Sequence, residues 1–156
     1  MKESYKLAFI ASSGGHLEQL SMLRPLMERY DSFVITEKTP YQPSHFCDRS
    51  YQLRQVNRHE PLFIFKLIGN TFSSLRIFLK ERPDMVISTG ALAVIPFCLI
   101  AKVLFRRKFI FIESFAKVTT PTLTGRLLYR FADRFYVQWE PMLEVYPDAI
   151  YLGGIY

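Results

Sequence analysis

Apolar residues along this chain follow two alternating patterns. One is the short unbroken run; the other is a longer stretch in which they recur every three or four positions. The runs at 6–12, 32–36, 52–56, 84–88, 108–113, 134–138 and 149–152 predict strands, most of them apolar enough to be buried on both faces. Between them, Leu17, Leu20, Leu23, Leu26 and Met27 fall on one side of a helix, which Pro25 is expected to kink. A long helix is predicted over 61–82, opened by Pro61 and closed before Pro83. Further helices are predicted over 90–105, across an internal Pro96, over 122–132, and briefly over 141–146. Residues 38–50 are polar and carry two prolines, and read as a loop. Strands alternating with helices imply a parallel sheet covered on both faces. Right-handed crossovers make a doubly wound, Rossmann-like α/β sheet the economical topology. No repeat or linker interrupts the pattern, so residues 1–156 are expected to form a single domain.

Composition narrows the class. With 156 residues, 49% hydrophobic and 15% aromatic, the chain is too apolar to be disordered. The polar start at 1–6 leads directly into the first strand and is not expected to be a signal peptide. Cys47 and Cys98 are too few for a disulfide scaffold and read as reduced thiols. His16, His45 and His59 are scattered, so neither a metal site nor a cofactor is expected. The net charge of +6 points to an acidic partner. The mean hydropathy of +0.07 is high for so basic a chain, and the basic residues punctuate apolar runs. That combination favours a membrane surface and argues against nucleic acid.

In an open parallel sheet, ligands bind beyond the carboxyl ends of the strands. Three loops are predicted there. The first holds Ser13, Gly14, Gly15 and His16; its glycines permit a tight turn close to a ligand, and the helix that follows suits phosphate. It is neither a dinucleotide fingerprint nor a Walker loop. His16 is a candidate general base or a helix-start histidine with local hydrogen bonds only. The second loop holds Ser88, Thr89 and Gly90. The third holds Glu113, Ser114 and Lys117, and runs on through several hydroxyl residues to Arg126, whose fork suits a diphosphate. Glu113, at the end of an apolar strand, reads either as a capping or ion-paired group or as a ligand-binding carboxylate.

The helix at 61–82 carries more apolar side chains than one buried stripe needs. Phe63, Phe65, Lys66 and Phe72, with Arg106, Arg107 and Lys108 beyond the next helix, read as an interfacial membrane patch. Core packing or a protein partner are the alternatives. The stretch at 91–105 is too short to span a bilayer.

Ser-Ser-Gly-Gly-His-Leu at 12–17, Ser-Thr-Gly at 88–90, Glu-Ser-Phe-Ala-Lys-Val at 113–118 and Thr-Gly-Arg at 124–126 together resemble the PssD-type proteins of bacterial capsule and exopolysaccharide synthesis. Those are similar to the membrane-anchor subunit of the two-subunit UDP-N-acetylglucosamine transferase that builds dolichol-linked chitobiose, and to the N-terminal half of MurG-like GT-B glycosyltransferases. The resemblance covers the whole chain. It implies half an enzyme: an acceptor-side lobe that binds a polyprenyl-diphosphate-linked saccharide at the cytoplasmic face of the membrane and works with a separate UDP-sugar-binding subunit. The polar start at 1–6 is not expected to hold the transmembrane anchor of the eukaryotic subunit, so attachment is expected to rest on the patch or the partner. The resemblance further implies that Gly14 and Gly15 face the diphosphate and that His16 or Glu113 is the base in an inverting transfer. Tyr151, Leu152, Ile155 and Tyr156 are expected at the interface with the partner. A non-catalytic scaffold that activates a self-sufficient partner, and a nucleotide-binding module using the glycine loop, are the competing functions.

Overall fold

The protein, described from a computed structural model at residues 3–40 and 47–156, is built on one parallel sheet. The predicted strands all form, as β1 (Glu3–Ala11), β2 (Tyr30–Glu37), β3 (Ser50–Leu53), β4 (Met85–Gly90), β5 (Lys108–Ile112), β6 (Arg134–Val137) and β7 (Ile150–Tyr151). Their order is β3-β2-β1-β4-β5-β6-β7, and every neighbouring pair is parallel. The direction of winding reverses between β1 and β4, which opens a crevice above their carboxyl ends. This is the Rossmann-like α/β sheet that the alternating pattern implied.

Alternate strand residues feed two cores. On one face Ile10, Phe33, Val86, Phe109, Phe111 and Phe135 pack under α3 (Phe63–Glu81) and α4 (Ile95–Leu99). On the other, Leu7, Phe9, Val34, Ile87 and Ile112 meet Leu20 of α1 (Gly15–Ser21) and Met27 of α2 (Arg24–Arg29). Helical cover on that second face is short, and an apolar trench of about 290 Å³ remains between Leu23, Ile110, Tyr136 and Ile155.

The helices depart from expectation where proline acts. Pro25 does not kink one helix. The chain breaks at Met22–Leu23 and Pro25 sits in the first turn of α2, where its missing N–H leaves no bond unmade. The stretch expected as one helix over 90–105 is divided: β4 takes Gly90, a 3₁₀ turn spans Leu92–Val94, Pro96 opens α4, and a π-helical turn covers Ile100–Leu104. The last helix, α5, is limited to Leu123–Leu128, and the segment after β6 is a 3₁₀ turn at Glu140–Leu143. His45, in the expected loop, lies outside the described residues.

Candidate active site above the β1–β4 crevice

The first two predicted loops meet. The backbone N–H of Ser12 donates to the carbonyl of Gly90 at 2.9 Å, and the Thr89 hydroxyl donates to the carbonyl of His16 at 2.6 Å. His16 Nδ1 lies 2.7 Å from the Thr89 carbonyl. A carbonyl only accepts, so Nδ1 carries the hydrogen and the neutral ring keeps its lone pair on Nε2. Gly14 (φ +78°) makes the turn into α1, and Gly90 (φ +102°) lets the imidazole approach: a Cβ there would lie 3.3 Å from His16 Cε1. Ser88 and Thr89 are fully buried, and their hydroxyls serve the loops themselves, Ser88 Oγ accepting from the Gly90 N–H at 3.1 Å.

His16 opens onto a pocket of about 450 Å³, with Arg58 and Lys117 as its cations and Phe63, Leu92 and Leu123 among its apolar walls. Lys117 was expected here; Arg58 was not singled out, because in the sequence it is one arginine in a polar stretch with no motif around it. Gly14 and Gly15 are exposed and Ser13 is half-buried in the turn just before His16, and none of the three lines that pocket.

Glu37 was also missed. It is buried, accepts from the Ser13 N–H at 3.3 Å and the Ser13 hydroxyl at 3.2 Å, and takes the Val56 N–H at 3.3 Å. It therefore ties the glycine loop to the segment leaving β3. Nothing in the sequence distinguishes it from a surface glutamate at a strand end.

Glu113 is 1% exposed and fully engaged. Oε1 accepts from the Ser114 N–H at 2.9 Å and the Thr122 hydroxyl at 2.8 Å; Oε2 accepts from the Thr122 N–H at 3.2 Å and the Tyr146 hydroxyl at 2.9 Å. Burial, then the charge of Glu113 and its hydrogen bond, push the Tyr146 phenol well above its ordinary value, so it stays a donor. Of the alternatives left open by the sequence, this is the internally bonded carboxylate: it closes the loop from Ser114 to Thr122. Ser114 is buried in the turn, its carbonyl accepting from the Lys117 N–H at 3.0 Å. Arg126 is exposed on α5 and does not line the His16 pocket.

The patch residues separate. Phe65, Ile68, Phe72 and Leu79 recur at i, i+3, i+7 and i+14 on the outer side of α3, and Phe65 and Phe72 are each 70% exposed. Phe63 reaches the pocket and Lys66 pairs with Glu60. Arg106, Arg107 and Lys108 instead enter the amino end of β5, the opposite end of the sheet from Phe63, because α3 runs antiparallel to the strands for about 28 Å. Arg107 pairs there with Asp84 at 3.6 Å. No helix among the described residues is long and apolar enough to cross a membrane.

At the carboxyl end, Tyr151, Leu152 and Tyr156 are exposed, while Ile155 packs into the second core. Gln138 fixes this end: its amide donates to the Glu113 carbonyl at 2.8 Å, and its oxygen accepts from the Ile155 N–H at 3.1 Å. Cys98 is buried, which pushes its thiol up to about 12, and it behaves as a small apolar side chain. Among the described residues no cluster of three metal-ligating side chains occurs.

The family model described as "Oligosaccharide biosynthesis protein Alg14 like" matches residues 7–155. The "UDP-N-acetylglucosamine transferase subunit ALG14" of Homo sapiens is 28% identical over 182 residues, covering 99% of this chain and 84% of that protein. Among solved structures, MurG of Acinetobacter baumannii superposes with a TM-score of 0.70 at 19% identity, over 88% of this chain and 42% of that one. A UDP complex of S. aureus MnaA gives 0.73 at 12% identity, over 97% and 44%. The chain thus spans less than half the length of these solved chains, and they share its fold.

Proposed function

The chain belongs to the Alg14-like oligosaccharide biosynthesis family, and on that premise we propose that it is the acceptor-binding, membrane-associating subunit of a bipartite inverting glycosyltransferase. A second subunit supplies the UDP-sugar, as the human relative's name, a transferase subunit, suggests. The acceptor is a polyprenyl-diphosphate-linked saccharide at the cytoplasmic face of the membrane, and the setting is capsular or exopolysaccharide synthesis.

The observation that carries this reading is the orientation of His16. Its Nδ1–H is held by the Thr89 carbonyl, and Nε2 is left to a pocket with two cations and apolar walls. Nε2 takes the proton of the acceptor hydroxyl as that oxygen attacks the anomeric carbon. The bond to UDP breaks on the opposite face and UDP leaves with the electron pair, so the configuration inverts. Glu113 positions the third loop instead, since all four of its hydrogen bonds are internal.

Membrane attachment falls to the outer side of α3, whose phenylalanines would enter the headgroup region next to the pocket. The partner's place is the trench on the second sheet face with the exposed Tyr151, Leu152 and Tyr156 beside it. The test is reconstitution. The chain alone should transfer no sugar; with its partner, a UDP-sugar and a lipid-linked saccharide, it should. Full activity of the isolated chain, or stimulation of the partner that survives His16→Ala, would replace this reading with a self-sufficient enzyme or a scaffold.

A further inference from the structure

Seven of the twenty cations of this basic chain sit in ion pairs among the described residues. Lys6 and Arg49 meet Glu81, Arg24 meets Glu28, Arg29 meets Glu3, Lys66 meets Glu60, Lys102 meets Asp133 and Arg107 meets Asp84. Among the described residues neither Arg58 nor Lys117 pairs with a carboxylate, and both line the His16 pocket. They come from different loops, so the fold alone brings them together.

The placement of Arg58 is built. The Asn70 side chain, fully buried in α3, holds both the N–H and the carbonyl of Arg54, at 2.9 and 2.8 Å. Glu37 holds the N–H of Val56 and, with its other oxygen, Ser13. The segment from Arg54 to Val56 is therefore clamped to α3 on one side and to the glycine loop on the other, two residues before Arg58. These clamps fix the point from which the chain runs on to Arg58.

We propose that Arg58 is a substrate-binding residue that grips a diphosphate jointly with Lys117, Glu37 being the positioning residue that sets its loop against the glycine loop. The guanidinium fork takes two phosphate oxygens at once, while the ammonium supplies a point charge. The apolar walls at Phe63 and Leu123 then face whatever the diphosphate is attached to, and Leu123 is 65% exposed. This rests on the acceptor reading above, but the same chemistry could serve the diphosphate of UDP, and the two sources are separable.

Calorimetry on the full chain with farnesyl diphosphate, farnesol and UDP tests it. Arg58→Ala and Lys117→Ala should each weaken farnesyl diphosphate about tenfold or more, the scale of a lost charge-assisted pair, and leave farnesol unchanged. Arg58→Lys should recover only part of the loss, and Glu37→Gln should weaken the diphosphate while sparing farnesol. Thermal midpoints of the Arg58 variants should not move, since that side chain is exposed. If Arg58→Ala binds farnesyl diphosphate like the wild type while Lys117→Ala does not, the role of Arg58 is overturned and the acceptor reading stands. If the wild type binds farnesol as tightly as farnesyl diphosphate, both fall. If Arg58→Ala weakens UDP alone, the diphosphate grip stands and the acceptor reading falls.

Discussion

Glu113 lies directly against Gly125: a Cβ on that glycine would come within 2.1 Å of the carboxylate oxygen Oε2 and 2.9 Å of Thr122 Oγ1. Helix α5 therefore begins with its backbone pressed on a buried carboxylate. Thr122 caps the helix by accepting from the Gly125 N–H at 2.8 Å, and donates its own hydrogen to Glu113. The close approach lets one buried anion hold a strand end, a loop and a helix start together.

Gly125→Ala reverses the usual preference. Alanine in a helix ordinarily gains up to about 1 kcal/mol over glycine. Here the added methyl collides with a carboxylate that has no room to withdraw, and a net loss of about 1–3 kcal/mol is expected. Urea denaturation measures it; a Gly125→Ala protein as stable as the wild type would refute the packing.

His16 and Glu113 should separate activity from stability. His16→Ala is expected to lower kcat/KM in the reconstituted enzyme by about 10²–10⁴, the worth of a general base, at a stability cost of about 0.5–1.5 kcal/mol, that of one hydrogen bond. Glu113→Gln places an amide donor among four donors and should cost about 1–3 kcal/mol of stability, with the shape of the pH–rate profile retained. Full turnover in His16→Ala, or loss of turnover in a fully stable Glu113→Gln, would reverse the two roles.

The outer side of α3 can be tested without disturbing the core. Phe65→Glu and Phe72→Glu alter side chains that are 70% exposed, so stability should stay within about 0.5 kcal/mol. Sedimentation with anionic vesicles should show binding reduced by about tenfold or more, as apolar insertion is replaced by repulsion. Arg106→Glu, at the far end of the sheet, should weaken binding less. Equal losses would mean that both ends touch the bilayer.

Acid should loosen the end of α3, where Glu81 joins Lys6 of β1 to Arg49 and Tyr51 at the start of the edge strand β3. Burial pushes the Glu81 carboxyl up, but hydrogen bonds from Tyr51 and Lys6 and the charge of Arg49 outweigh it and hold the group below its ordinary 4.5. A carboxyl lowered by folding contributes stability that is complete above the unfolded value and is lost as pH falls through the folded one. Urea midpoints should therefore drop as pH is lowered past about 4.5, and Glu81→Gln should both lower the neutral-pH stability and flatten that drop. An unchanged slope in Glu81→Gln would place the acid sensitivity elsewhere, with Asp133, lowered by Lys102 and the Phe109 N–H against its burial, as the next group to vary.

Hydrophobic pattern carried the strands because a strand buried on both faces must be apolar throughout, whatever its neighbours are. Proline was harder to read. Pro25 and Pro96 both sit in first turns, and whether a proline kinks a helix or opens one depends on the residues before it leaving the helix, which tertiary packing decides. The same limit applies to the site. The glycine loop and His16 were legible, since small residues after a strand signal a close turn. Arg58 and Glu37 were not, since their significance lies in what faces them.

By itself, the sequence determined a Rossmann-like α/β sheet, a histidine at the turn after the first strand, and a helix with an apolar excess. These are local properties, set by side-chain period, backbone freedom and strand burial. Only the tertiary structure decided that Glu113 is sealed by its own loop, that Arg106–Lys108 sit at the end of the sheet away from the phenylalanines of α3, and that Arg58 shares a pocket with His16 and Lys117. Those relations join residues as far as 101 positions apart in the chain, as from His16 to Lys117. They are fixed by parallel crossovers and buried hydrogen bonds, whose partners no local spacing records.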